Sequence, residues 1–202
     1  MSDAAVVRRL RIAAASALAT LCAVGATFAA VSHRPIVLPD YGQVPPFALI
    51  DQRGEPITEE QLRGSLWVAD FIFTRCAGQC PMMSGAMSRL ARRVDPSVTL
   101  VSFSVDPVWD TPEVLSRYAA RYDAPAAWRF ATGEAMAIEH LCREGFHLAA
   151  AEGDGPATLT HSQRLVLVDR DGHIRGYYDA ADLEQVRRLD EHVRLLLKRR
   201  AG

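Results

Sequence analysis

Two cysteines, Cys76 and Cys80, stand in the stretch Thr74-Arg75-Cys76-Ala77-Gly78-Gln79-Cys80-Pro81. Three intervening residues set their sulfurs about one helical turn apart, where they can converge on one ion or close into a disulfide. A mostly apolar run, Leu66 to Phe73, precedes them, and a segment with helix-like spacing, Met82 to Val94, follows. Gly78 permits a tight turn, and a nearby helix N-terminus favours thiolate over thiol. A disulfide here would close a very short loop and constrain the unfolded chain little, which makes it a weak staple. Zinc is an alternative, but a structural zinc site usually completes four ligands. Beyond the N-terminal segment the remaining cysteine is Cys142, which reads as a small core residue beside Leu141. Two soft thiolates and one imidazole suit copper, Cu(I) above all.

The elements that must hold this pair follow from periodicity and turn residues. Phe47 to Asp51 and Pro56-Ile57 read as a short hairpin, and Thr58 to Arg63 as a capped helical turn. Leu66 to Phe73 and Val98 to Val105 read as strands buried on both faces. Thr111-Pro112-Glu113 starts a helix running to about Tyr122, and Ala135 to Glu144 is another. Arg164 to Asp169 and His173 to Tyr178 form a second hairpin about Asp171-Gly172, and an amphipathic helix, Asp182 to Arg199, ends the pattern. The order β-α-β-α-(β)-α-β-β-α predicts an α/β fold of thioredoxin-like type, a central mixed sheet flanked by helices. The cysteine loop then lies at the carboxyl end of a strand, where sites in α/β sheets usually sit.

Six histidines are candidates for the imidazole. His33 adjoins the N-terminal apolar segment, His173 follows a tight turn, and His192 lies in the last helix. His140 and His147 flank a helix end. His161, in Leu159-Thr160-His161-Ser162, directly precedes the strand at Arg164. In a thioredoxin-like fold the loop entering that strand faces the cysteine loop and normally carries a cis-proline, which this sequence lacks immediately before the strand. A histidine there points its ring at the sulfurs, so His161 is the third expected ligand.

Arg8, Arg9 and Arg11 precede an apolar run at residues 12–32. About 20 apolar residues cross a bilayer as a helix, and basic residues on one side predict that side inside. The expected organisation is therefore a cytoplasmic stretch at 1–11, a transmembrane helix at 12–32, a Pro-containing linker at 33–46, and one folded domain at 47–202 outside the membrane. A cleaved signal peptide ending near Ala-Thr-Phe-Ala-Ala is the competing reading, and it exports the domain equally. Leu21 is too large for the residue before a lipidated cysteine, so Cys22 reads as apolar. A net charge of −1 with no basic stripe argues against nucleic-acid binding.

Three blocks carry a family resemblance. Phe71-Ile72-Phe73-Thr74-Arg75-Cys76-Ala77-Gly78-Gln79-Cys80-Pro81, then Val101 to Pro107 with Asp110-Thr111-Pro112-Glu113, then His161-Ser162 with Asp169-Arg170-Asp171-Gly172, resemble the SCO/SenC family in its order. The uncharged Ala77-Gly78-Gln79 departs from the commonest form. The resemblance implies a membrane-tethered, copper-binding metallochaperone that assists maturation of the dinuclear copper site of cytochrome c oxidase. One copper ion, Cu(I) and/or Cu(II), is implied at Cys76, Cys80 and His161, with the copper-accepting oxidase subunit as partner. The implied location is a bacterial cytoplasmic membrane, N-terminus inside. Asp106 matches the family's acidic residue near the site and is expected to tune it or to contact a partner, a turn-forming role before Pro107 being the alternative. Met82 and Met83 are expected in the core. The alternative functions are a thiol–disulfide oxidoreductase cycling Cys76 and Cys80, and a redox or copper sensor.

Overall fold

The computed structural model describes residues 37–148 and 163–198. The strands are β1 Ala48–Asp51, β2 Pro56–Thr58, β3 Trp67–Ile72, β4 Thr99–Ser104, β5 Trp128–Thr132, β6 Arg164–Val168 and β7 Ile174–Asp179. The helices are α1 Glu59–Leu62, α2 Gln79–Ala91, α3 Pro112–Arg121, α4 Ala135–His140 and α5 Leu183–Lys198, with a π-helical turn at Leu141–Gly145. Among the described residues the strands form one sheet in the order β2-β1-β5-β4-β3-β6-β7. β3 and β5 run parallel to β4, and β6 runs antiparallel to β3. This is the central mixed sheet that the element order predicts.

β3 is buried at every position, so its sequence shows an apolar run rather than alternation. Its side chains still divide by parity. Trp67, Ala69 and Phe71 pack with Val101, Phe103, Val166 and Phe146 on one face. Val68 and Ile72 pack with Leu100, Leu167 and the apolar sides of α2, α3 and α5 on the other. Each fully buried large side chain contributes roughly 1.5–3 kcal/mol, and both clusters flank β3, so the strand that leads into the cysteine loop is rigid.

Local sequence signals set most boundaries. Thr58 and Gln61 form a reciprocal capping box at α1, and Thr111 caps α3 with Pro112 at its first position. Gly172 takes a φ of 82° in the turn between β6 and β7, a conformation open to glycine at no steric cost. Three elements depart from the sequence pattern. α2 starts at Gln79 rather than Met82, because Pro81 in the first turn forfeits an N–H that has no intrahelical partner. The helix expected over Ala135 to Glu144 ends as α-helix at His140 and continues as the π turn, with Phe146 N donating to Leu141 O. Residues 38–46, expected as linker, pack on the domain: Leu38 and Val44 are buried, and Tyr41 and Val44 donate to the carbonyls of Ile174 and Gly172.

Among the described residues no helix is long and apolar enough to cross a membrane. The expected span at 12–32 lies outside the described residues, and so does His161.

Candidate metal centre

The cysteine loop runs from the end of β3 into the first turn of α2. Cys76 N donates to Phe73 O at 3.2 Å, and this turn brings Cys76 back beside Cys80. Both thiols are free, Cys76 half-buried and Cys80 buried. The two are electrostatically unequal. Burial alone raises the Cys76 pKa, but hydrogen bonds from the amides of Cys80, Gly78 and Gln79 and from the Cys80 thiol hold it below the ordinary value. These amides belong to a helix start, where N–H groups lack intrahelical partners and stabilise a thiolate. Burial pushes the Cys80 thiol up to about 12, with the Cys76 and Asp70 charges adding to the rise. The pair therefore loses one proton first, from Cys76.

A second loop, Val105 to Thr111, braces the first. Asp106 Oδ2 accepts from Arg75 Nη2 at 2.6 Å and Nε at 3.1 Å. Arg75 is half exposed and an ion pair of that kind contributes about 0–1 kcal/mol, so the contact orients Arg75 more than it stabilises the fold. The Arg75 guanidinium also lies 4.7 Å from the Trp109 ring centroid. Asp106 O accepts from the amides of Trp109 and Asp110, so the residue turns the chain as well as pairing with Arg75.

Two aspartates that the sequence reading assigned no role sit deeper. Asp110 is buried and receives three donors: Thr74 N at 3.0 Å, Thr74 Oγ1 at 2.5 Å and Ser104 Oγ at 2.5 Å. It fastens the residue two before Cys76 to the end of β4. Asp70 is buried on the α2 face of β3, accepting from Ser102 Oγ at 2.5 Å on one oxygen and from nothing on the other. Burial pushes its carboxyl up to about 7, against the lowering effect of Ser102. An aspartate inside the run Leu66 to Phe73 was the available signal, since a buried unpaired carboxylate is costly.

This position makes a sharp pH prediction. The folded Asp70 pKa lies above the unfolded value of 3.8, so the folded state binds the extra proton between them. Stability then falls as pH rises through that window and levels off above about 7. Relative to wild type, Asp70→Asn should gain on the order of 4 kcal/mol between pH 4 and pH 8. Denaturant midpoints of both proteins across this range check it; a constant difference contradicts it.

The other expected residues are placed as follows. Met83 is a buried core residue and Met82 packs half-buried against the same cluster. Cys142 is fully buried. His173 Nδ1 is 3.0 Å from Asp40, and His192 Nδ1 is 2.7 Å from the Tyr178 hydroxyl, so both already have partners. Among the described residues no three His, Cys, Asp or Glu side chains cluster as metal ligands. The strand that His161 precedes is described from its start, and its antiparallel pairing brings the chain into β6 at the carboxyl end of β3, the end that carries the cysteine loop.

Comparison with known proteins agrees with this fold. The SCO1 protein homolog of Bacillus subtilis (strain 168) is 33% identical over 145 residues, 69% of this chain and 75% of that protein. BsSco, described as a member of the Sco family of cytochrome c oxidase assembly proteins in which a disulfide switch was identified, aligns with a TM-score of 0.70 at 30% identity. That alignment covers 81% of this chain and 98% of BsSco. Bradyrhizobium japonicum ScoI, solved with copper bound, shares the fold at a TM-score of 0.62 and 24% identity, over 74% and 99% of the two chains. The family model described as SCO1/SenC matches residues 39–197, which include both cysteines and both bracing aspartates, and the chain belongs to the SCO1/SenC family.

Proposed function

We propose that this chain is a copper metallochaperone, holding one copper ion with Cys76, Cys80 and His161 and assisting maturation of the dinuclear copper site of cytochrome c oxidase. The observation that carries this reading is the pair of free, unequal thiols at the strand–helix junction of a SCO1/SenC chain. Thiolates are soft donors suited to copper, and Cys76 is already disposed to lose its proton, while Cys80 would release its own on binding. Gln163 O accepts from Ala180 N, which fixes the chain two residues after His161. The relatives lend support in kind: BsSco is described as an oxidase assembly protein and B. japonicum ScoI carries copper. Asp106 would tune the site or meet the partner through Arg75.

The tether belongs to the same proposal. Residues 12–32 would anchor the chain in a bacterial cytoplasmic membrane, with 1–11 inside, a short stretch leading out, and the copper-binding domain, packed from Leu38 onward, facing outward. To test the function, the chain from residue 36 onward is reduced, titrated anaerobically with Cu(I), and mixed with the soluble copper-accepting domain of the oxidase. One tightly held equivalent that then moves to the acceptor is expected; failure to bind, or binding without transfer, contradicts the reading.

A second reading has its own observation. A partly exposed thiol of lowered pKa beside a buried thiol of raised pKa is an asymmetry that suits thiol–disulfide exchange. The chain would then reduce the cysteines of the oxidase subunit.

A further inference from the structure

Beside the cysteine loop lies a concave pocket of about 230 Å³ with no role in holding the ion. Thr74 and Arg75 form the wall nearest the cysteines, and Val114 and Tyr118 line it with apolar atoms. Trp109 also lines it and remains 52% exposed, and its neighbour Val108 is 89% exposed. Large apolar side chains standing in water beside a site mark an interaction surface better than a packing role.

The charges around this apolar centre have one sign in excess. Arg75, Arg117 and Arg121 all reach the pocket. Arg117 and Arg121 are exposed and lie four residues apart, on one face of α3. Among the described residues neither forms an ion pair, although Glu113 lies near enough to Arg117 for its own pKa to be lowered by it, after the larger effect of Thr111. Asp106 neutralises Arg75 alone. A tryptophan and arginines around a small, partly apolar hollow are the residue types that dominate interface energetics.

We propose that this pocket and the Val108-Trp109 knuckle form the docking face for the protein that receives the copper, a partner presenting acidic side chains around an apolar residue. This rests on the chaperone reading and deepens it. Thr74 and Arg75 lead directly to Cys76, so a partner seated here brings its own metal-binding groups beside the half-buried Cys76. A lipid surface would also attract arginines and tryptophan, but a flat headgroup layer leaves a side-chain-sized hollow unfilled. The excess positive charge would steer an acidic partner into encounter and act mainly on the association rate.

The test uses the copper-loaded chain from residue 36 onward and the soluble copper-accepting oxidase domain as probe. Wild type is compared with Arg117→Glu/Arg121→Glu and with Val108→Asp, all exposed positions whose change spares the core. Each variant should bind one copper as wild type does, while the second-order transfer rate falls about tenfold at low ionic strength. The wild-type rate should drop as salt is added, and that of the double variant should not. Equal transfer rates and equal salt dependence, with copper bound normally, overturn the docking face and leave the chaperone reading standing. Loss of wild-type sedimentation on anionic vesicles in the variants, with transfer unchanged, overturns it in favour of a lipid surface. Absence of copper uptake by wild type removes both readings together.

Discussion

His161→Ala should cost on the order of a thousandfold in Cu(I) affinity and leave dithiol exchange almost untouched. Structural zinc sites built from thiolates and imidazoles bind their metal with roughly 10–16 kcal/mol, and that scale is taken for copper on the same donor types. Removing one of three ligands takes away about a third of that, on the order of 4 kcal/mol. Exchange depends instead on the thiolate fraction of the attacking cysteine and on access to it. Both are set by the amides of Gly78, Gln79 and Cys80 around Cys76 and by the burial of Cys80. The exchange rate should therefore stay within a factor of about three. Competition titration against a Cu(I) chelator and a disulfide-reduction assay on the same two proteins measure the pair of effects. Unchanged copper affinity in the variant would remove His161 as a ligand and put the oxidoreductase reading first.

Asp110→Ala should be the most damaging single change near the site that touches no sulfur. Its carboxylate receives the Thr74 amide and the hydroxyls of Thr74 and Ser104, all at a buried position. Hydrogen bonds to a charged group contribute about 1.5–3 kcal/mol each, and buried donors left without a partner add a desolvation cost. A loss of about 3–5 kcal/mol in unfolding free energy is expected. Because Thr74 stands two residues before Cys76, the loosened loop should also lower copper affinity by about 10- to 100-fold, the usual cost of losing an outer support of a metal site. Asp110→Asn keeps the shape and one good acceptor, so it should lose less on both counts. Denaturant unfolding and copper competition across the three proteins separate a supporting role from a purely global one. A variant that is destabilised yet binds copper with wild-type affinity would show that the contact holds the fold and not the site.

Much of this architecture is legible in the chain because its signals are local. Buried strands β3 and β4 show as apolar runs, Thr111-Pro112-Glu113 announces α3, and Asp171-Gly172 turns the last hairpin. The cysteine pair and its place at the end of β3 follow from the same cues. What escapes sequence reading depends on distant partners. Residues 38–46 carry three prolines and read as linker, yet their hydrogen bonds go to β7 and its turn, more than a hundred residues away. The π turn after His140 comes from carbonyl pairing at one extra residue of spacing, which leaves no mark on apolar periodicity. Asp70 and Asp110 look alike in sequence, but β4 gives Asp70 one donor and the cysteine loop and β4 give Asp110 three. One aspartate is consequently held neutral by burial up to about pH 7, and the other is a fully engaged brace.

The central claim is that one copper ion sits on two sulfurs and one imidazole nitrogen. X-ray absorption at the copper edge of the reduced, loaded chain tests it most directly. The account predicts two sulfur scatterers and one nitrogen with an imidazole signature, at one copper per chain, the nitrogen signal disappearing in His161→Ala. A first shell of sulfur alone, or of nitrogen and oxygen without sulfur, would contradict it.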